Sequence, residues 1–336
     1  MKKSLVLFAF VVLSLVLANT QAFAITGPCS GCHTMHNSQN GTVVNTNPLY
    51  VNGAPYLLVG DCYACHSVNG TAGILPKVDD PANLRAAGTF ATAVATTDSR
   101  RHNVAYIGSG ADAALGQTPP GNNGTALAGN GLTCAGNVGC HGNPSVDTSA
   151  STIGGFEAMT GYHHNSIAGG SGYRFLRVND GTNGGHGTPV GGFGSADWEL
   201  GGATAANHNV YQGGAGGNTI SQACAKCHGQ FHGVANTGAA SPFTRHPVDR
   251  DLTAGMIANA DVDYENNPFV FSNTAGVSTT AAYTTTNAQV GCVSCHRGHG
   301  SANPDLLRFD YTTQVAGANP GAATGFGCLG CHYSQR

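Results

Sequence analysis

Charge is scarce in this 336-residue chain: Asp, Glu, Lys and Arg together make up 9%. Only four residues are lysine, and two of these are Lys2 and Lys3. From residue 25 onward, Lys77, Lys226 and ten arginines face seventeen acids. Such a net negative chain excludes a nucleic-acid partner, which would want a basic face. Apolar runs are equally short. One extends from Leu5 to about Leu17, too brief for a membrane span, and nothing later could be one. Long periodic runs are missing too, which points to a mostly irregular fold with short helices and few short strands.

What is present begins with an export signal. Lys2 and Lys3 precede the apolar run, and Ala22-Phe23-Ala24 supplies a small-residue cleavage site. Residues 1–24 are therefore expected to be a signal peptide, and 25–336 a single secreted domain without a membrane span. Fifty glycines follow, with turn signals at Asn40-Gly41, Asn69-Gly70, Asn123-Gly124 and Gly216-Gly217. One short helix is predicted at 81–87, with Asp80 as cap, Pro81 at its first position and Gly88 beyond its end. Residues 173–178 and 268–272 read as short strands. A chain so poor in regular structure must find part of its core elsewhere.

All twelve cysteines fall into six pairs, each closed by a histidine. Five have one spacing, C-x-x-C-H: Cys29/Cys32/His33, Cys62/Cys65/His66, Cys224/Cys227/His228, Cys292/Cys295/His296 and Cys328/Cys331/His332. That spacing reads as attachment of haem c. Two sulfurs add to the two vinyl groups on one porphyrin edge, and the adjacent histidine then faces the iron. Zinc would need four ligands per metal, and a disulfide framework would not place a histidine after every second cysteine. The sixth pair is wider, since five residues separate Cys134 from Cys140. Cys140 and His141 stay adjacent, and Gly136 and Gly139 let the backbone loop out and return Cys134 to the second vinyl. The expected cofactor load is six covalently bound haem c groups.

Six irons need six further axial ligands. After the leader only Met35, Met159 and Met256 remain, too few for a general role. Nine histidines lie outside the motifs: His36, His102, His163, His164, His186, His208, His232, His246 and His299. They suffice for six bis-histidine haems with three to spare. His36 follows His33 by three residues, His232 follows His228 by four and His299 follows His296 by three. Each pair lies on one side of the porphyrin bound by its first member, whereas axial ligands occupy opposite faces. His36, His232 and His299 must therefore bind another haem or none. A peptide that binds two irons within one turn brings two porphyrins into near contact, as rapid electron transfer needs.

Arginines stand beside histidines at Arg101-His102, Arg245-His246 and His296-Arg297, where a guanidinium could meet a haem propionate. Asp261, Asp263 and Glu265 alternate as in a calcium loop but lack the glycine and closing glutamate of an EF-hand, so a solvated loop is expected.

The stretches "CSGCHTMHNSQNG", "RHNV", "CAKCHGQFH…RHP" and "VGCVSCHRGHGSANPDLLRFDY" resemble the hexahaem outer-surface cytochromes of OmcS type. The similarity runs from the first motif to the last, and is poor around residues 104–130 and 180–220. The resemblance implies a stacked haem chain and head-to-tail polymerisation into extracellular filaments at the cell surface. It implies that His36 ligates a haem of the next subunit, the one attached through Cys292 and Cys295. His102, His232, His246 and His299 match family ligand positions. The family's third motif is followed closely by a histidine that is absent here, so His163 or His164 is the expected substitute, with His208 and His186 as further choices. The first motif begins at Cys29 and the last closes at His332, so haems can lie at both extremities, and a head-to-tail contact that does not close gives an open filament.

The function expected is electron carriage rather than catalysis. Partners would be further copies of the chain, other multihaem cytochromes or extracellular acceptors. Two other readings stand beside this one: a monomeric periplasmic shuttle, and a multihaem reductase of nitrogen or sulfur oxyanions. A reductase needs an iron with an open position.

Overall fold

The computed structural model describes residues 28–43, 57–68, 76–82, 85–92, 100–104, 107, 115–122, 124–151, 154–164, 167, 170, 172–194, 207–214, 216–232, 246–254, 264–273, 282–284, 286–315 and 327–332. All fifteen histidines and all twelve cysteines lie among them. Asp261, Asp263 and Arg245 lie outside the described residues.

Regular elements are short. The helices are α1 (Cys62–His66), α2 (Ile220–Ala225), α3 (Gly229–His232), α4 (Cys292–Cys295) and α5 (Cys328–Cys331). Four of the five contain motif cysteines, because one turn of helix sets side chains three apart on one face. Caps start two of them: Asp61 accepts from the Ala64 N–H at 2.8 Å, and Thr219 Oγ1 accepts from the Gln222 N–H at 2.9 Å. No helix among the described residues is long and apolar enough to cross a membrane.

Strands β1 (Ser38–Gln39) and β2 (Thr42–Val43) form a hairpin, β3 (Arg177–Val178) pairs with β4 (Thr188–Pro189), and β5 (Gly192–Phe193) with β6 (Val210–Tyr211). A three-stranded antiparallel sheet has the order β7 (Arg250–Asp251), β9 (Ala288–Val290), β8 (Val270–Phe271). Its register sets Val270 opposite Gln289 and Arg250 opposite Val290. Alternation along β6 and β8 builds two cores. Val210, Phe269 and Phe271 pack with Leu252, Tyr283, Ala288 and Val290 on one side. Tyr211 and Val270 pack with Val178, Val190 and Ile220 on the other. A third cluster, Phe90, Val104 and Ile107, lies beside Tyr63 and Cys134. Apolar packing thus supports the middle of the chain, and the motifs border it.

Two sequence expectations are corrected. The described residues of 81–87, where a helix is predicted, are not helical. Asp80 Oδ1 accepts from the Ala82 N–H in a local turn, and Arg85 bridges Gly88, while 83 and 84 lie outside the described residues. The same cap-and-glycine signals serve a tight turn, because Gly88 is drawn against Gly300, where a Cβ would lie 1.7 Å from the carbonyl oxygen. Of 173–178, only Arg177–Val178 is strand, and Tyr173–Phe175 is a 3-10 turn. The strand expected at 268–272 is present as Val270–Phe271.

Buried arginines tie loops together. Arg177 is 2% exposed, and its Nε donates to the Gly187 carbonyl at 3.1 Å. Arg297 Nη1 donates to the Arg85 and Ala86 carbonyls, and Arg308 Nη2 to Ala86. Arg101 Nη1 donates to the Phe90 carbonyl at 2.6 Å. Of the arginines expected to meet propionates, Arg101 and Arg297 therefore bind backbone carbonyls.

Candidate haem centres

In four of the standard motifs the histidine N–H donates to the first cysteine's carbonyl: His33 to Cys29 at 2.8 Å, His228 to Cys224 at 3.1 Å, His296 to Cys292 at 3.0 Å and His332 to Cys328 at 2.8 Å. The remaining standard motif, Cys62, Cys65 and His66, lies wholly within α1, with both cysteines half-buried. Cys65 stands one turn after Cys62 there, so the two sulfurs share a helix face as thioether bonds to one porphyrin edge require. The first motif departs from this helical form. Its turn is a 3-10 helix that ends at Gly31, and Cys32 lies just beyond it at φ −123°. Backbone bonds hold Cys32 instead: its N–H donates to the Cys29 carbonyl at 3.1 Å, and its carbonyl accepts from Val59 at 2.9 Å. Cys29 is exposed and Cys32 half-buried, the order in which a porphyrin edge could enter from outside.

The wide motif keeps the same backbone bond. The His141 N–H donates to the Cys134 carbonyl at 3.0 Å, so the extra residues form a bulge, mostly buried, that keeps His141 bonded to the first cysteine. Lys226 holds the bulge. Its ammonium donates to the carbonyls of Gly136 and Gly139, both at 2.7 Å. Lys226 belongs to the fourth motif, so one attachment site braces another. No sequence signal pairs it with a loop some ninety positions earlier.

Five histidine pairs face one another across the fold. His33 faces His164 with ring centroids 6.2 Å apart, His66 faces His163 at 6.4 Å, and His141 faces His299 at 6.3 Å. His228 faces His102 at 6.1 Å, and His332 faces His246 at 6.3 Å. Such spacings also occur between ordinary aromatic rings. What distinguishes them is their sorting, since every pair joins one motif histidine to one outside the motifs. Two metal–imidazole bonds of about 2 Å, each extended by roughly 1 Å to the ring centre, place centroids about 6 Å apart. The residues therefore fit an iron between each pair.

The imidazoles are also oriented for it. Nδ1 of His66, His102, His141, His228 and His296 lies 3.0, 2.7, 2.8, 2.7 and 2.8 Å from the carbonyls of Pro76, Gly298, Arg174, Pro120 and Asp305. A carbonyl there fixes the proton on Nδ1 and leaves Nε2 with its lone pair toward the metal. Burial adds to this by disfavouring the cation. It holds His66, His102, His141 and His296 below the ordinary imidazole value, His163 at about 4 and His299 at about 3.

The remaining histidines separate into two groups. His208 is fully buried beside Tyr264, Phe271 and Tyr283, with Nδ1 2.9 Å from the Asn209 carbonyl. His186 Nδ1 is 3.3 Å from the Tyr162 hydroxyl. His232 turns Nε2 to the Asp249 carboxylate at 3.0 Å, which occupies the atom an iron would need. These three meet protein instead. His36 and His296 differ: among the described residues no histidine ring faces either one. His163 and His164, expected to serve the third motif, stand elsewhere. His299 faces His141, while His163 and His164 face the second and first motifs, and neither His186 nor His208 takes that place.

Sulfurs of the second and third motifs meet, as do those of the fourth and fifth. The Cys62 and Cys134 thiols are hydrogen-bonded, which raises the first and lowers the second. Cys224 and Cys292 form a second such pair, with the same directions. Cys140 lies within electrostatic reach of Cys227, and Cys295 within reach of Cys331 and Cys328. Cys32 and Cys65 have their place within their own motifs, as the cysteine directly before the iron-facing histidine.

The family described as a doubled CXXCH motif matches residues 286–336, the stretch that holds the fifth and sixth motifs. The C-type cytochrome OmcS of Geobacter sulfurreducens is 26% identical over 387 aligned positions, covering 91% of this chain and 85% of that protein. Two solved structures match as well, each covering 85% of this chain and 84% of the other. One is of the OmcS nanowires at 20% identity and a TM-score of 0.49, the other of the Outer Membrane Cytochrome S filament, also from Geobacter sulfurreducens, at 19% and 0.45. Over most of its length the chain is thus similar to a multihaem c-type cytochrome, and its C-x-x-C-H motifs carry covalently bound haem c.

Proposed function

We propose that this protein is a hexahaem electron carrier, exported from the cell, that polymerises head to tail into an extracellular conducting filament. One observation carries the reading: five histidine pairs close within the chain, leaving one motif histidine, His296, and one exposed histidine, His36. His36 cannot reach across its own motif's haem, and no histidine ring faces it among the described residues, so we place its partner in another copy. The axial pairs are His33 with His164, His66 with His163, His141 with His299, His228 with His102, His332 with His246, and His296 with His36 of the next copy.

Haem iron supplies reversible one-electron exchange. The chain's residues hold the sites close and in order. The adjacent His163 and His164 bind the first and second sites together, and thiol hydrogen bonds join the second site to the third and the fourth to the fifth. Neutral imidazole on both faces leaves no position for a substrate inside the polymer. The relative OmcS, solved as a filament, supports polymerisation.

Negative-stain microscopy with intact mass measurement of the secreted protein tests this reading. Filaments built from chains that begin at Ile25 and carry six haems are expected. A second reading rests on His296, since an unpolymerised subunit would leave that iron open to a small oxyanion. Monomers in which a high-spin haem responds to nitrite would favour it.

A further inference from the structure

The N-terminal hairpin holds two consecutive non-glycine residues in the left-handed region, His36 at φ 54° and Asn37 at φ 59°. L-residues avoid that region, and a pair of them persists only where surrounding bonds over-determine the turn. Those bonds are present. Met35 bridges Ser38, Thr34 Oγ1 donates to the Ser38 carbonyl at 3.0 Å, and the Thr34 N–H donates to Leu57 at 2.6 Å. Gln39 Nε2 donates to two carbonyls, Ser30 at 2.7 Å and His33 at 2.9 Å, and so ties the turn to the first motif. A second tight turn at Asn40-Gly41, with φ 52° and 77°, closes β1 on β2. Thr34 and Asn37 are buried, whereas His36 between them is exposed.

The same unit exposes Met35 (65%), Val43 (60%) and Leu57 (45%). At the other end of the chain, Tyr311 (67%) and Val315 (53%) are exposed on the segment that leaves the fifth motif. The Arg308 N–H donates to Cys295, and Leu329 of the sixth motif donates to Gln314.

We propose that residues 33–43 form a preformed docking arm. The left-handed turn fixes His36 outward, Gln39 is its positioning residue, and the Met35, Val43 and Leu57 side chains dock on the Tyr311–Val315 segment of a second copy. This rests on the polymer reading and adds that the arm's shape, as well as the imidazole, sets assembly. A stiff arm delivers its ligand without an ordering cost at the interface.

Secreted holoprotein carrying Asn37→Gly, Asn37→Val or Gln39→Leu tests it, read by haem count, filament yield and spin state. Asn37→Gly accepts the left-handed turn and should assemble near wild type. Asn37→Val rejects it and should keep six haems, lose filaments and gain one high-spin haem per chain. Gln39→Leu should raise the concentration needed for assembly by about tenfold. Tyr311→Asp should do the same from the opposite face. Asn37→Val filaments equal to wild type, or an Asn37→Gly loss as deep as that of Asn37→Val, would overturn the arm. Wild-type protein that forms no filaments at all would overturn the polymer reading instead.

Discussion

His299 lies three residues beyond His296, yet its ring faces His141, more than 150 positions earlier. At the residue scale that pairing makes a specific claim about the third haem. His299→Ala should leave six covalent haems and convert one to high spin, with carbon monoxide binding on reduction. His164→Ala should produce a similar signal at the first haem and leave the third low-spin. Electron paramagnetic resonance combined with ligand titration checks both, and a third haem opened by His164→Ala would reverse the assignment.

At the scale of elements, the motifs were legible because their chemistry is local. A C-x-x-C-H fits one helical turn, as Cys62 and Cys65 show in α1, and Asn40-Gly41 marks the hairpin turn in which it is found. The wide motif was legible only in part. Gly136 and Gly139 suggest a loop, but the Lys226 clamp is a contact across 90 and 87 positions. Asp80, Pro81 and Gly88 misled for the same reason: the Gly88 contact that decides the turn lies at Gly300. Lys226→Met removes two charge-assisted bonds and should cost on the order of 2–4 kcal/mol at that site. Intact mass should then show a five-haem fraction, with Cys134 open to alkylation. An unchanged six-haem mass with wild-type stability would show that the bulge holds itself.

For the whole molecule, haem attachment could be read from the cysteines, and the excess of histidines could be counted. Which histidine meets which could not, because the pairs join residues from 86 positions apart, as in His332 and His246, to more than 150. The apolar cores around Phe271 and Val270 were equally hidden, since strands of two residues carry almost no periodicity. Two histidines, His36 and His296, have no histidine ring facing them among the described residues. The most direct measurement is the spin state and filament yield of secreted His36→Ala holoprotein. Six covalent haems, loss of filaments and one high-spin haem per chain, assigned to the site of Cys292 and Cys295, are predicted. Normal filaments with every haem low-spin would contradict the bridge between copies.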